Sequence, residues 1–95
     1  MPELLNDHQI ETSLSQLIGW AREGNTLVRE WKLKDFAQAL HFINEVGKLA
    51  EAADHHPDIL LHGWNKVKIM LSTHSKGGIT TNDVTLAREI GAVTI

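Results

Sequence analysis

Apolar residues recur with helical spacing in three segments of the chain, and the first segment lies close to the N-terminus. Asn6 is a good N-cap residue and Gln9 follows three positions later, a pattern typical of a capping box at the start of a helix. A glycine at position 19 is predicted to end this helix. Its apolar stripe contains Ile10, Leu14, Leu17 and Ile18.

Two strand pairs are predicted, one before and one after the longest helix. The first pair covers residues 20–23 and 26–33 around a Gly24-Asn25 turn, with Arg29 as the polar exception on its apolar face. The second pair covers residues 59–64 and 67–72, with its turn near residues 63–66. In this last strand apolar and mostly polar residues alternate, which indicates a sheet covered on one side only.

The longest helix is predicted from about Asp35 to Asp54 and carries two adjoining apolar stripes. One stripe contains Phe36, Leu40, Ile43, Gly47 and Ala50, and the other contains Ala39, Phe42, Val46, Leu49 and Ala53. Together they cover more than half of the helix circumference, which is wider than one contact with a sheet needs. Two interpretations remain open: the helix is simply well buried, or it also packs on a helix from another subunit.

The last helix has a clear start, with Thr80 as N-cap and Asp83 at the third helical position. The predicted order is therefore helix, two strands, helix, two strands, helix. This order favours an α+β fold, a two-layer sandwich in which three helices cover one face of a four-stranded antiparallel sheet. The length of 95 residues suits a single domain spanning 1–95, with a core small enough that oligomerisation is a common supplement.

Composition narrows the possible functions. The formal net charge of −3 argues against direct nucleic-acid binding, because phosphates need a basic surface. No apolar run approaches the roughly 20 residues that cross a bilayer, and residues 1–4 show no signal-peptide pattern, so we expect no membrane association. The chain has no cysteine, which excludes thiolate catalysis and fits a cytoplasmic protein.

The chemistry of the chain is concentrated in Asp54-His55-His56-Pro57 and in His74, which follows the last strand. If the second hairpin pairs as predicted, His74 returns near the Pro57 end and the three imidazoles converge. Imidazoles titrate near neutral pH, so such a group suits proton transfer. A purely structural role for these histidines stays open. Zinc binding with Asp54 or Glu51 is a weaker alternative, since adjacent histidines do not easily chelate one ion.

Two acidic residues are candidates for orienting these imidazoles. Asp83 caps the last helix and can also fix the tautomer of a nearby histidine, and the two roles are compatible. Glu51 precedes His55 by one helical turn and so can share a face with it. A solvated surface position is the simpler interpretation of Glu51, and spacing alone favours it.

Several short segments form an ordered pattern along nearly the whole chain. They are Gly19-Trp20, Lys34-Asp35-Phe36, Glu51, Asp54-His55-His56-Pro57, Asn65-Lys66-Val67, Leu71-Ser72-Thr73-His74, Gly78 and Asp83. Each segment is weak alone, but their joint order and spacing are specific. In this pattern the chain resembles the pterin-4a-carbinolamine dehydratase family, known in animals also as a dimerisation cofactor of a homeodomain transcription factor.

The resemblance implies loss of water from a 4a-hydroxytetrahydropterin to give a quinonoid dihydropterin, without metal or cofactor, in pterin recycling. It makes His55 and His74 the acid–base candidates and assigns His56 to holding or polarising the pterin. Further substrate contacts are implied at Pro57, Thr73, Ser75 and Lys76, while Glu51, Asp54 and Asp83 orient the site. The resemblance also implies a homo-oligomer, a dimer or a tetramer, built by joining sheets edge to edge and bundling helices.

The chain departs from the family pattern in two places. Ile59 and Leu60 stand where some relatives carry aromatic residues, which argues against a stacking contact from these positions and leaves Trp64 as the aromatic residue that could replace it. Lys76 and Gly77 occupy the loop that holds a cysteine in the family. Two other functions stay open: a protein-interaction module that assists a transcription regulator, and a pterin-binding protein without catalysis.

Overall fold

The computed structural model describes residues 3–95. Met1 and Pro2, at the start of the segment that shows no signal-peptide pattern, lie outside the described residues. The described helices are α1 (Asp7–Leu14), α2 (Phe36–Ala53) and α3 (Thr81–Gly91). The strands are β1 (Ala21–Glu23), β2 (Thr26–Lys32), β3 (Asp58–His62) and β4 (Lys66–Leu71). A short 3-10 turn, His74–Lys76, follows β4.

The four strands form one antiparallel sheet in the order β1-β2-β4-β3, and the predicted α+β fold is confirmed. In the register of the sheet, β4 sets Leu71 opposite Leu27 of β2 and Ile69 opposite Ile59 of β3. Both hairpins therefore fold as predicted from the alternation of apolar residues, and the second hairpin brings the start of β3 beside the end of β4.

The core lies between one face of this sheet and the helices. Val67, Ile69 and Leu71 of β4 are fully buried there, whereas the side chains between them are only half-buried on the opposite face. The helices contribute Ile10 of α1, four residues of α2 and, from α3, Val84, Leu86, Ala87 and Ile90. The alternation of buried and half-buried residues along β4 thus shows which face of the sheet the helices cover. No helix within residues 3–95 has the length and apolarity needed to cross a membrane.

The first helix is shorter than predicted, since α1 ends at Leu14 and the expected end at Gly19 is wrong. Hydroxyl groups in its last turn bond to the backbone: Thr12 donates to the carbonyl of His8, and Ser15 donates to the carbonyl of Thr12. Such bonds compete with regular helical hydrogen bonding, and the chain continues as a series of turns. Ile18, expected in the apolar stripe, is consequently 87% exposed.

The long helix α2 is capped at both ends by aspartates. Asp35 accepts a hydrogen bond from the backbone N–H of Gln38, and Asp54 closes the helix in the left-handed conformation, at φ 49° and ψ 43°. The buried residues of α2 are Ala39, Phe42, Val46 and Ala50. Phe36 and Leu40, in the same stripe as Ala50 but nearer the start of the helix, are 49% and 43% exposed, so this chain alone does not bury the whole apolar surface of α2.

Candidate active site

Three segments meet beside the end of the sheet where β4 finishes: the chain after α2, the chain after β4 and the first turn of α3. They contribute His55, Thr73 and Asp83, respectively. Nε2 of His55 lies 2.5 Å from Oδ1 of Asp83. The Asp83 side chain is fully buried and the His55 side chain is 12% exposed, so little water competes for this contact.

The end of α2 determines where His55 points. Because Asp54 adopts the left-handed conformation, the chain turns back and the backbone N–H of His55 bonds to the carbonyl of Ala50 at 3.1 Å. This is the wrapped helix ending usually made with glycine. Pro57 follows and is directly succeeded by β3. The turn at Asp54 therefore directs the chain so that His55 faces Asp83.

The carboxylate of Asp83 makes hydrogen bonds with both oxygens. Oδ2 accepts the backbone N–H of Thr80 and the hydroxyl of Thr73, each at 2.8 Å, while Oδ1 faces His55. The first of these contacts completes the capping box of α3. Asp83 thus makes both contacts considered from the sequence, one with the helix start and one with an imidazole. Thr73 and Thr80 are 7% and 0% exposed, and their hydroxyls lie 2.8 Å apart.

His56 lies apart from this buried network. Its side chain is 59% exposed, and Nε2 is 3.4 Å from Oε2 of Glu51, which is itself 79% exposed. Glu51 therefore lies beside His56 rather than His55, because the turn at Asp54 sends His55 inward and leaves His56 next to the glutamate. The expectation that Glu51 is solvated agrees with its exposure.

The third histidine, His74, opens the 3-10 turn and is exposed. Asp58 pairs with Met70, so Pro57 and the end of β4 lie at the same end of the sheet, as predicted. His74 directly follows Thr73, whose hydroxyl contacts Asp83. A backbone bond between the Thr73 N–H and the Gly78 carbonyl, at 2.8 Å, closes the loop that carries Ser75 and Lys76.

Trp64 does not take the position expected of it. It lies at the tip of the β3–β4 hairpin, with φ 60° and 61% of its surface exposed. The tip and the Pro57 end are separated by the length of β3, about 15 Å at the usual rise per residue of a strand. Within its own chain, Trp64 therefore cannot stack on a ligand held beside His55. Among residues 3–95, no three histidine, aspartate or glutamate side chains are grouped closely enough to hold a metal ion.

Fold and site define a class of protein: a small α+β protein with one imidazole fixed by a buried carboxylate and exposed imidazoles near it. A family model described as pterin 4 alpha carbinolamine dehydratase matches residues 3–93. Two relatives provisionally named pterin-4-alpha-carbinolamine dehydratase agree with this match. The protein of Thermomicrobium roseum is 45% identical over 90% of this chain and 91% of its own, and that of Roseiflexus castenholzii is 46% identical over 98% and 99%.

Solved structures agree. The transcriptional coactivator/pterin dehydratase of Brucella melitensis superposes with a TM-score of 0.88 at 33% identity, covering 93% of this chain and 95% of that one. A pterin dehydratase-like protein identified as a RuBisCO assembly factor shares the fold at 23% identity, with a TM-score of 0.65, over 78% of this chain and 87% of its own. This chain belongs to the pterin-4a-carbinolamine dehydratase family.

Proposed function

We propose that this protein dehydrates a 4a-hydroxytetrahydropterin to a quinonoid dihydropterin by histidine acid–base catalysis, within pterin recycling. The observation that carries the proposal is the buried contact between His55 and Asp83 in a member of this family. Proton transfer needs an imidazole whose orientation and tautomer are set in advance, and a buried carboxylate does this.

The reaction needs two proton transfers and no change of oxidation state. The bond between C4a and its hydroxyl oxygen breaks, and the oxygen leaves as water after receiving a proton. The hydrogen on N5 is removed as a proton, and the electron pair of the N5–H bond forms the C4a–N5 double bond. One proton is delivered and one is taken up, so two imidazoles near the ring suffice.

His55 and His74 are the proposed acid–base pair. Asp83 accepts at Nε2 of His55, so Nδ1 is the nitrogen available to the pterin. His74 is exposed beside the same network and supplies the second imidazole. His56 polarises or holds the ring from its exposed position next to Glu51.

The remaining proposed substrate contacts surround these histidines. Pro57 follows His56 along the chain, and Ser75 and Lys76 follow His74. The Thr73 hydroxyl faces Asp83 and its backbone N–H bonds to the Gly78 carbonyl, so its contribution to pterin binding is to hold Asp83 and the loop after β4 in place. Asp54 orients the site through its left-handed backbone, and Glu51 through its contact with His56.

Stopped-flow absorbance of a freshly generated 4a-hydroxytetrahydropterin tests the activity directly. We expect the protein to accelerate dehydration above the spontaneous rate, with and without a chelator. His8→Ala, which removes an exposed histidine of α1, is the matched control and should keep the full rate. A rate equal to the spontaneous one overturns the proposal, and a rate abolished by the chelator overturns its metal-free form.

A second candidate function is a protein-interaction module that assists a transcription regulator. The combined description of the Brucella melitensis structure and the exposed apolar residues of α2 favour it. The two functions separate experimentally, because replacing His55 and His74 by alanine should abolish dehydration and leave partner binding intact. For either function we propose a cytoplasmic homo-oligomer, a dimer or a tetramer.

A further inference from the structure

Thr80 has a buried hydroxyl behind the proposed site. The sequence predicts only one role for this residue, as the N-cap of α3. Its side chain is fully buried, and Oγ1 lies 2.8 Å from Oγ1 of Thr73 and 3.4 Å from Oδ2 of Asp83. We propose that Thr80 is a positioning residue of the dehydration: through Thr73 it holds Asp83 in place and so fixes the orientation of His55. For its effect on rate, this inference rests on the function proposed above.

The distances assign one direction to the hydrogen bonds. Oγ1 of Thr80 accepts the backbone N–H of Asn82 at 3.2 Å. A hydroxyl carries a single proton, and the nearer acceptor for that of Thr80 is Oγ1 of Thr73 rather than Asp83. The proton of Thr73 is then directed to Oδ2 of Asp83, at 2.8 Å. The chain of donors therefore runs from Thr80 through Thr73 and ends on the carboxylate.

This direction has a consequence for His55. Oδ2 of Asp83 is occupied by the Thr73 hydroxyl and the Thr80 N–H, so Oδ1 is the oxygen left for the imidazole. An ionised carboxylate only accepts hydrogen bonds, so Nε2 of His55 must be the donor. The neutral imidazole is thereby held as the Nε2–H tautomer, with an unprotonated Nδ1 that can accept a proton.

Removing the Thr80 hydroxyl should disturb this arrangement from one end. The Asn82 N–H and the Thr73 oxygen each lose a buried partner, and the start of α3, which carries Asp83, is no longer held by its cap. Acid–base catalysis depends on placement to within about 0.5 Å. A small shift of Asp83 therefore reaches the reacting nitrogen although Thr80 itself does not touch the substrate.

Thr80→Val removes the hydroxyl with little change in shape, and Thr80→Ser keeps it. We expect Thr80→Val to lower kcat about tenfold with KM nearly unchanged, because the disturbance affects the position of the reacting imidazole. Thr80→Ser should restore kcat to within about twofold of the wild-type value. Nitrogen NMR of the histidine rings gives a second readout: the Nε2–H signal of His55 should be sharp and hydrogen-bonded in the wild type and shifted or broadened in Thr80→Val.

Two further variants separate positioning from loss of a helix cap. Asp35→Ala removes the N-cap of α2, at the far end of that helix from His55, and should leave kcat and the His55 signals unchanged. Thr73→Val removes the donor to Asp83 and leaves the Thr80 cap in place, so it should alter the His55 signals even if Thr80→Val fails to fold.

The outcomes distinguish this inference from the proposed function. Wild-type kcat together with wild-type His55 signals in Thr80→Val overturns the positioning role, and so do unchanged His55 signals in Thr73→Val. A wild-type protein that leaves dehydration at its spontaneous rate overturns the function instead. In that case the NMR measurement, which needs no substrate, still decides whether Thr80 fixes the position of His55.

Discussion

At the scale of single residues, Asp83 joins the stability of the fold to the chemistry of the site. Its carboxylate accepts three hydrogen bonds within 2.8 Å while the side chain is fully buried. In Asp83→Asn an amide NH₂, which is itself a donor, faces at least one of these donors and leaves it without an acceptor. We expect the variant to lose about 2 kcal/mol of unfolding free energy, the usual cost of a buried unsatisfied polar group.

The same substitution should lower the dehydration rate at least tenfold. If the amide nitrogen replaces Oδ1, it donates to Nε2 of His55 and forces the opposite tautomer. Urea unfolding and stopped-flow kinetics measure the two effects. Asp58→Asn, at an exposed aspartate of β3, is the control and should change neither. An Asp83→Asn protein with wild-type kinetics would show that His55 does not depend on this carboxylate.

Alanine variants of the histidines separate effects on folding from effects on the reaction. His74 is exposed, and the apolar core is built by other residues than His55, so we expect His55→Ala and His74→Ala to remain folded. We expect His74→Ala to change stability by no more than about 0.5 kcal/mol, as surface substitutions do. Each variant should lose most of the dehydration rate. Circular dichroism checks the fold, and wild-type activity in either variant would remove that residue from the proposed acid–base pair.

The sequence predicts which residues gather at the site better than it predicts which of them touch. The convergence of the Pro57 end with His74 follows from the pairing of β3 and β4, which apolar alternation indicates. The partner of Glu51 depends on the left-handed turn at Asp54, a conformation that the order of apolar residues does not record. The contact between the Thr73 and Thr80 hydroxyls is missed for a related reason, because two small polar residues leave no periodic signal.

At the scale of elements, the end of α2 tests how a helix terminus aims a functional side chain. Asp54 adopts the left-handed conformation, which costs most residues other than glycine about 1 kcal/mol. Asp54→Gly should therefore raise the unfolding free energy by roughly 0.5 kcal/mol, and Asp54→Ala should lower it. Thermal unfolding measures both changes.

The kinetics of these two variants separate backbone from side chain. If Asp54 acts through its backbone, Asp54→Gly should keep the dehydration rate, since the turn that directs His55 inward is preserved. A loss of rate in a stable Asp54→Gly protein would instead assign a role to the Asp54 carboxylate.

Helix starts are predicted better from the sequence than helix ends are. Capping residues fix the starts of α1 and α3 as predicted, because each cap satisfies specific N–H groups. The end of α1 is not predicted, since the hydroxyls of Thr12 and Ser15 compete with the helix over residues that otherwise continue its apolar spacing. Local polar competition, rather than hydrophobic pattern, decides where that helix stops.

At the scale of the whole molecule, the exposed stripe of α2 favours self-association. Phe36 and Leu40 are 49% and 43% exposed on a helix whose adjoining apolar stripe packs on the core. Both side chains are already about half-buried, so covering the rest of one contributes about 1 kcal/mol. In a symmetric assembly each copy contributes this amount. We therefore expect a dimer or tetramer in solution, with α2 in the contact between copies.

Leu40→Glu tests this contact, because it places a charge in the centre of the exposed stripe. We expect light scattering after size exclusion to show a smaller assembly than the wild type, while circular dichroism stays unchanged since Leu40 is not a core residue. Ile18→Glu introduces the same charge at an 87% exposed isoleucine in the turns after α1 and should leave the mass unchanged. A wild-type mass in Leu40→Glu would mean that the copies join elsewhere, and a monomeric wild type would mean that α2 keeps this stripe exposed to water.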